Sequence, residues 1–424
     1  MNLGLGNHGA TREEQVRVMA ARLGVADFVY TAPQLRKGSG NREASGDGLL
    51  IVGNRGAVLQ VKSRIPTNSD SRDRAESWVR KSAMKARKQG LGSKRELARH
   101  QALGQPITVS PVRSHTLPSK IRHLYDYSVS DDVRDWPIFV IIDHPRSPDV
   151  DLGFFPGLLW FSFEDWRQLQ RRLRSTGALL NYAQYVFRQK HHVPLGQEER
   201  RYEAIRAVEK SESYLAPTDF PYFSDGSDFD FFGTNLFHDL IDKVWPHDGI
   251  VPWESATEYR MIVDFLDAVP PQLQADIGHW ILRKRREVNE SRAVSSGLAQ
   301  VPRGRLVYAC TQWSHWDKID QWFAEFSLIA ALRHLHALES GAGPETETLA
   351  VGVLVKGQGV QYSFAMLRGT EALLPIPRDL RSNMEWRYGI HNHREGTTVE
   401  VEVHPNQICP CLSGKRFGAC CGEQ

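Results

Sequence analysis

Cysteine is scarce in this sequence and long apolar runs are missing, and both shortages restrict the class of protein. The chain has five cysteines among 424 residues, and four of them are crowded into residues 409–421. The longest uncharged apolar stretch, GFFPGLLWFSF at 153–163, is well short of the ~20 residues that cross a bilayer. The first residues, MNLGLGNHGATREEQ, have neither a basic start nor an apolar core, so no signal peptide is visible. We therefore expect a cytoplasmic protein, in which paired thiols indicate metal or redox chemistry more often than structural disulfides.

The composition is that of a globular protein with enough apolar residues for a core. Hydrophobic residues make up 41% and charged residues 24% of the chain, which disfavours disorder. A chain of 424 residues is too long for one ordinary domain and suggests two or three.

The cysteine-rich tail has the spacing of a metal site. It reads NQICPCLSGKRFGACCGEQ and pairs Cys409 with Cys411 and Cys420 with Cys421. Four thiolates suit tetrahedral zinc, and the stretch 413–415 between the pairs has the composition of a tight turn. Twenty residues bury too little surface to fold without the metal. The alternative is a reactive or disulfide-forming tail.

The same stretch resembles the SEC-C zinc motif of the SecA translocation ATPase and of many other bacterial proteins. The resemblance covers 405–424, and Leu412 stands where the family usually has glycine, at a turn position that is not a ligand. It implies a small zinc module with structural Zn²⁺ and, as in SecA, a docking function toward a protein partner.

A polar cluster is predicted on a β-hairpin within residues 41–64. Two apolar runs, 49–52 and 57–61, flank a Gly-Asn-Arg-Gly turn at 53–56. Pairing through that turn sets Leu50 opposite Leu59 and Asp47 opposite Lys62. Period-two alternation then places Asp47, Gln60 and Lys62 on one face.

These three side chains suit the hydrolysis of a phosphodiester. The carboxylate of Asp47 and the amide oxygen of Gln60, helped by a backbone carbonyl, are ligands for Mg²⁺. Lys62 would orient the attacking water or neutralise developing charge. The alternative is an Asp–Lys pair that only fixes strand register.

The pattern of an Asp, a strand turn and then Gln60-Val61-Lys62 resembles the PD-(D/E)xK nuclease superfamily, in which glutamine replaces the commoner glutamate in the Mrr-like branch. The resemblance implies an α/β, restriction-endonuclease-like domain, a central mixed sheet flanked by helices, over residues 1–197. It also implies a metal-dependent nuclease, a hydrolase with catalytic Mg²⁺. Glutamine removes one negative charge from the metal site, which should weaken cation affinity.

The family also has an acid on its first helix, for which TREEQVRVMAARLG is the candidate. Thr11 is a plausible cap, and Val16, Ala20 and Leu23 would form an apolar stripe. We prefer Glu13 as the acid, with Glu14 left open; the alternative for both is a glutamate that favours the helix dipole. Glu43 is either a second acid or a surface residue.

A basic segment follows the hairpin. Residues 62–99 contain twelve Lys or Arg against four Asp or Glu, a local balance of +8 in a chain whose total is +3. Such a concentration is typical of a surface for a phosphate backbone. Within a predicted helix at 73–89, Trp78, Ala83 and Met84 form an apolar side. The candidate nucleic-acid-binding residues are Arg80, Lys81, Lys85, Arg87 and Lys88. The alternative is an ordinary solvated helix.

The second half of the sequence carries fewer functional signals. We expect a linker at 198–232, an α+β domain at 233–400 with a helix at 326–337 and a hairpin joining 349–355 to 360–366, and the zinc module at 405–424. Cys310 reads as a core residue. His334 and His336 are two apart on a helix and diverge, so they should not share a metal.

Two functions are consistent with these patterns. The first is a Mg²⁺-dependent nuclease acting on nucleic acid, expected to be DNA, in defence against foreign DNA or in DNA repair. The second is a non-catalytic nucleic-acid or protein-binding adaptor on the same scaffold, docking through the tail.

Overall fold

The computed structural model describes most of the body of the chain. The described residues are 8–23, 28–31, 34–37, 40–43, 47–53, 55–65, 71–105, 107–109, 112, 125–127, 133–144, 149–212, 230–244, 253–290, 294–301, 303–312, 314, 319–341, 343, 345–356, 359–369 and 378–388. Among them, no helix is both long and apolar enough to cross a membrane. The predicted zinc module at 405–424 lies outside this set.

The chain is an α/β protein that divides into two compact units. Unit 1 is Met1–Arg286 with Gln300–Arg303, and unit 2 is Glu287–Ala299 with Gly304–Gln424. Each unit contains a mixed β-sheet flanked by helices. The predicted linker, 198–232, contains a helix at Glu198–Glu212, while 213–229 lie outside the described residues; the predicted domain boundaries stay a prediction.

Unit 1 contains nine strands and eight helices within its described residues. In chain order they are α1 (His8–Leu23), β1 (Val29–Tyr30), β2 (Gln34–Lys37), β3 (Gly40–Glu43), β4 (Gly48–Val52), β5 (Arg55–Ser63), α2 (Arg72–Ala102), β6 (Ile107–Val109), β7 (Tyr125–Tyr127), β8 (Ile138–Asp143), β9 (Leu158–Ser162), α3 (Phe163–Leu173), α4 (Thr176–Gln189), α5 (Glu198–Glu212), α6 (Phe231–Asp242), α7 (Trp253–Asp267) and α8 (Pro271–Glu290).

The central sheet of unit 1 has five strands in the order β1-β4-β5-β8-β9. The first three are antiparallel neighbours, whereas β5, β8 and β9 are parallel. The long helix α2 connects β5 to β8, as a parallel crossover requires. This is the central mixed sheet flanked by helices that the sequence predicts.

The register of the β4–β5 hairpin differs from the prediction. Val52 pairs with Arg55 and Leu50 with Ala57, so only Gly53 and Asn54 lie between the strands. Gly53 has φ +54°, a left-handed conformation typical of a two-residue hairpin turn. The predicted pairings of Leu50 with Leu59 and Asp47 with Lys62 are therefore wrong by two residues. Because the shift is even, each side chain keeps its predicted face.

Helix α2 covers one face of this sheet. Its buried residues recur every three or four positions and are mostly small, namely Ala75, Val79, Ala83, Ala86, Gly90, Ser93, Leu97 and His100. Small side chains let the helix approach the strands closely: a Cβ on Gly90 would lie 2.6 Å from Ile138 Cγ2. Ala83 is buried and Trp78 half-buried as predicted, but Met84 is 39% exposed because it lies away from the sheet.

Helices α1 and α3 pack on the opposite face. The aromatic rings of Phe139, Phe161 and Trp166 meet there with centroids 5.7–6.1 Å apart. Trp166 Nε1 donates to Val16 O at 3.3 Å and so ties α3 to α1. Val16 and Ala20 are buried as the predicted stripe requires. The predicted cap at Thr11 is wrong, because α1 begins three residues earlier, at His8.

Unit 2 is built on a four-stranded sheet in the order β10-β11-β12-β13. Its elements are β10 (Val294–Val301), β11 (Gly304–Gln312), α9 (Ile319–Glu339), β12 (Glu347–Lys356), β13 (Gly359–Arg368) and α10 (Arg378–Tyr388). The β12–β13 hairpin and helix α9 include the predicted segments. Side chains of β11 and β12 pack with Trp322, Phe326 and Ile329 of α9 in one core.

Cys310 is a core residue as predicted, and His334 and His336 diverge as predicted. Cys310 is fully buried in β11. His334 contacts Thr348 Oγ1 at 2.8 Å and Gly369 O at 2.9 Å, whereas His336 contacts Glu385 Oε1 at 2.7 Å. The two imidazoles therefore have different partners.

Candidate active site and basic surface

Asp47 lies at the point where the pairing of β4 with β5 ends. Its N–H donates to Leu59 O at 3.1 Å, and its Oδ2 accepts the Val61 N–H at 2.5 Å. The carboxylate thus takes the place of a backbone carbonyl in the ladder, which fixes its position. Among the described residues, no hydrogen bond reaches Oδ1 of this carboxylate.

Lys62 is brought to the same place by β5. Its Nζ lies 3.7 Å from Asp47 Oδ2 and donates to Val61 O at 2.8 Å. The side chains of Lys62 and Asp47 are 19% and 17% exposed, so the pair is partly shielded and still accessible. The structure therefore brings together two of the predicted catalytic residues, at the carboxyl end of β5.

Gln60 is on the predicted face, but its side chain is completely buried. It lies beneath helix α2, where a Cβ on Gly90 would lie 3.5 Å from Gln60 Cγ. The observed register continues to Asp47 opposite Gln60. Gln60 is therefore next to Asp47 in the sheet, at the inner side of the candidate site.

Helix α1 reaches the site through Arg17, which the sequence analysis missed. Its Nη1 donates to the backbone oxygen of Asp47, and its Nη2 pairs with Glu14 Oε2 at 2.8 Å. A Cβ on Gly48 would lie 3.1 Å from Arg17 Cδ, so glycine directly after the candidate aspartate leaves room for the arginine. Gly48 was the feature of the sequence that could have indicated a close contact at this position.

The structure separates the two candidate helix acids. Glu14 is exposed and its carboxylate is held by Arg17. Glu13 is half-buried on the same helix. The choice of Glu13 stays a prediction, and so does the role of Glu43, whose backbone pairs with Gln34 in the small β2–β3 sheet.

A second carboxylate, Asp143, ends the neighbouring strand β8. It accepts from Ser63 Oγ at 3.0 Å and pairs with Arg12 Nε at 2.8 Å. The register sets Asp143 beside Ser63, one residue beyond Lys62. Asp143 therefore anchors α1 to the strand ends that carry the site.

The basic residues of α2 form two flanks with different surroundings. Arg80, Arg87 and Lys94, which we call the contact flank, recur every seven residues. Arg80 Nη1 donates to Asp151 O at 2.6 Å, Arg87 lies over the Phe155 ring at 4.1 Å, and Lys94 Nζ donates to Arg134 O at 2.7 Å. This flank holds the helix against the segment around β8.

Lys81, Lys85 and Lys88 form the other flank, which we call the lysine flank. The spacing of four and three residues places them on one face of the helix. All three are exposed, and none has a hydrogen-bond or ion-pair partner among the described residues. Of the five predicted binding residues, these three keep uncompensated charge toward solvent.

Two buried carboxyl groups of unit 1 with raised pKa values have hydrogen-bond or ion-pair partners within the fold. Burial raises the pKa of Asp267 to about 7; its carboxylate accepts the N–H groups of Thr176 and Gly177 at the start of α4. Burial also raises the pKa of Glu198, which pairs with Arg201 inside the unit. These groups are distinct from Asp47 and Lys62.

The candidate site is not a conventional cluster of metal ligands. Within the described part of the chain, no group of three or more His, Cys, Asp or Glu side chains could hold a metal ion. Cys409, Cys411, Cys420 and Cys421 lie outside it.

Comparison with known proteins identifies one part of the chain. Residues 406–423 match the model of the SEC-C motif. No curated protein and no solved structure matches the chain significantly. The SEC-C motif is therefore present at 406–423. For the rest of the chain, the only guide to function is the geometry of the candidate site.

Proposed function

We propose that the protein is a Mg²⁺-dependent nuclease that hydrolyses phosphodiester bonds of nucleic acid. The observation that carries the proposal is the pairing of Asp47 with Lys62 at the end of β5, with the carboxylate fixed by the Val61 N–H. A mixed sheet flanked by helices supports it, since the PD-(D/E)xK resemblance implies that architecture.

The donor set fits a hard cation. Mg²⁺ prefers oxygen ligands, and Asp47 Oδ1 accepts no hydrogen bond from the described residues. The residues that would hold the cation are Asp47, through this oxygen, and Gln60, through its amide oxygen. When bound, Mg²⁺ would polarise the phosphodiester and lower the pKa of an attacking water.

The protein side chains would then position charge around the reacting phosphate. The ammonium of Lys62 is held beside Asp47 by the Val61 carbonyl, so it is oriented before substrate binds. A positive charge fixed in advance stabilises negative charge that develops on the phosphate. Arg17 would hold Asp47 in place through its hydrogen bond to the backbone oxygen of that residue.

The lysine flank supports nucleic acid as the substrate. Three exposed lysines on one helix face provide attraction for a phosphate backbone independent of base sequence. DNA is the expected substrate, and RNA is the alternative that the assay includes.

The test is cleavage of labelled single- and double-stranded DNA and RNA by the full-length protein, with and without Mg²⁺. Asp47→Asn and Lys62→Met should each abolish Mg²⁺-dependent cleavage. Asp239→Asn, at an exposed residue of α6, and Lys243→Met, at a half-buried residue at its end, are the matched controls and should cleave normally. Equal inertness of wild type on all four substrates would overturn the proposal.

One observation favours a second candidate function, a non-catalytic binding protein. Gln60 is completely enclosed, and the described residues hold no cluster of three acidic or histidine ligands. On this view the lysine flank and the tail make the functional contacts. Binding to nucleic acid without cleavage in any metal would support it.

We further propose that the SEC-C tail binds one structural zinc through Cys409, Cys411, Cys420 and Cys421 and docks onto a protein partner. Four thiolates at this spacing are the donor set of structural zinc. The expected localisation is the cytoplasm, where such thiols stay reduced and available to the metal.

A further inference from the structure

Trp78 occupies an unusual place on helix α2. The indole is half-buried and packs against the core of unit 1. The guanidinium carbon of Arg64 lies over the indole ring, 5.7 Å from its centre, and the His144 ring lies 5.4 Å away at 46°. A large aromatic surface is thus held firmly and is bordered by polar groups.

Both neighbours of Trp78 follow the strand ends that carry the candidate site. Arg64 is two residues beyond Lys62, and its N–H donates to Asp143 O at 3.1 Å. His144 directly follows β8. Trp78 therefore lies at the end of the sheet where Lys62 and Asp47 lie, on the face that α2 covers.

The lysine flank begins at this tryptophan. Positions 78, 81, 85 and 88 are spaced by three, four and three residues, so they follow one side of α2. At 1.5 Å per residue, the row extends over ~15 Å. An aromatic ring beside the candidate site thus continues into a row of exposed ammonium groups.

We propose that Trp78 is a stacking platform for a nucleobase, and that the substrate class of this site is single-stranded nucleic acid whose backbone follows the lysine flank. The inference rests on the proposed nucleic-acid function and names the form of the substrate. In a duplex the base faces are covered by neighbouring pairs, whereas an unpaired strand offers them to an aromatic side chain. Arg64, which lies over one side of the ring, would contact the phosphate next to a base stacked on the other side.

The experiment measures binding of the full-length protein to fluorescent oligonucleotides, without divalent metal so that no cleavage occurs. Trp78→Ala should weaken binding of a single strand about ten-fold, the effect expected for losing one stacked base, and should leave duplex binding unchanged. Trp78→Phe should retain most of the single-strand affinity. Trp280→Ala, at another half-buried tryptophan on α8, is the control and should bind as wild type does.

A second measurement uses the wild-type protein, so its result does not depend on whether a variant folds. A single strand containing 5-iodouracil, irradiated on the wild-type protein, should crosslink at Trp78, with the site read by mass spectrometry. Crosslinks only elsewhere, or a Trp78→Ala variant that binds single strands normally, would overturn the stacking proposal. If Lys81→Glu with Lys85→Glu still weakened binding in that case, the nucleic-acid function would stand without it. Absence of any binding to single or double strands would overturn both.

Discussion

Asp47 combines two roles at the scale of a single residue. One carboxylate oxygen completes the hydrogen bonding of β5 by accepting the Val61 N–H, and the other accepts no hydrogen bond from the described residues. A side chain anchored by one oxygen offers the second at a fixed position. This arrangement reduces the entropy that a bound cation or substrate would otherwise have to remove.

Gln60→Glu tests whether Gln60 is a metal ligand. The new carboxylate would be buried, and an uncompensated buried charge destabilises a protein by several kcal/mol. If the cation binds between this residue and Asp47, Mg²⁺ should restore the stability of the variant and less Mg²⁺ should be needed for half-maximal cleavage. Urea unfolding with and without Mg²⁺ measures the first effect, and a Mg²⁺ titration of cleavage measures the second.

The control for this change is Gln274→Glu, at a fully buried glutamine of α8. That variant should be destabilised equally in both conditions, because it lacks a neighbouring cation. A Gln60→Glu variant that Mg²⁺ does not stabilise would remove Gln60 from the ligand set.

The placement of Asp47 and Lys62 on one face could be predicted from the sequence. The contacts of Arg17 and of helix α2 that support the site could not. Period-two alternation is a local property, so it placed Asp47, Gln60 and Lys62 on one face correctly. Arg17 is thirty residues from Asp47 in the chain, and its contact depends on how α1 packs on the sheet. The completeness of Gln60 burial likewise depends on the close approach of α2, which Gly90 permits.

At the scale of the element, the two flanks of α2 differ: the contact flank packs within unit 1, and we propose that the lysine flank binds nucleic acid. Replacing Lys81, Lys85 and Lys88 with glutamine should reduce the slope of log affinity against log salt by about 2 to 3 units, since each lost phosphate contact contributes about 0.7 to 0.9. Replacing Arg80 and Arg87 should mainly lower stability, because these side chains already contact Asp151 and Phe155. Fluorescence anisotropy across a salt series, with urea unfolding of each variant, checks both expectations. Equal slopes for wild type and the lysine variant would show that nucleic acid binds elsewhere.

The start of α4 should make stability depend on pH. Burial raises the pKa of Asp267 from 3.8 to about 7, so the folded state holds a proton that the unfolded state releases across this window. The stability that Asp267 contributes should therefore fall as pH rises from about 4 to about 7, by at most about 4 kcal/mol. Asp267→Asn cannot titrate, so the unfolding free energy of the wild type relative to this variant should fall as pH rises over the same window. Urea unfolding at pH 5 and pH 7.5 measures this difference, and identical pH dependence in both proteins would contradict it.

The β4–β5 hairpin shows which of its features could be predicted from the sequence. The composition at 53–56 predicted a turn, but the number of residues in the turn decides the register. A two-residue turn with Gly53 at positive φ displaced every predicted pair by two positions. Each side chain still lies on its predicted face of the sheet because the displacement was even. An odd displacement would have moved Asp47 and Lys62 to opposite faces.

At the scale of the whole molecule, the chain combines two α/β units with a short cysteine motif. Hydrophobic patterns predicted the β12–β13 hairpin and the α9 helix because each is a local feature. Hydrophobic patterns gave less information on which segments pack together. The contact between Asp267 of α7 and the start of α4, for example, joins residues about ninety positions apart. The SEC-C tail was predictable because its signal is a local spacing of cysteines and needs no long-range packing.

The tail provides the prediction for the molecule as a whole. If Cys409, Cys411, Cys420 and Cys421 bind zinc, the full-length protein should contain about one zinc per chain. Cys409→Ser with Cys420→Ser should remove it, as should a chain ending at residue 404, while both keep the circular dichroism and unfolding midpoint of the body. Cys310→Ala is the control: it alters the one cysteine buried in β11 and should leave the zinc in place. Metal analysis by mass spectrometry measures the stoichiometry. Zinc retained by the shortened chain would show that the metal binds in the body, and would contradict the assignment of the four tail cysteines.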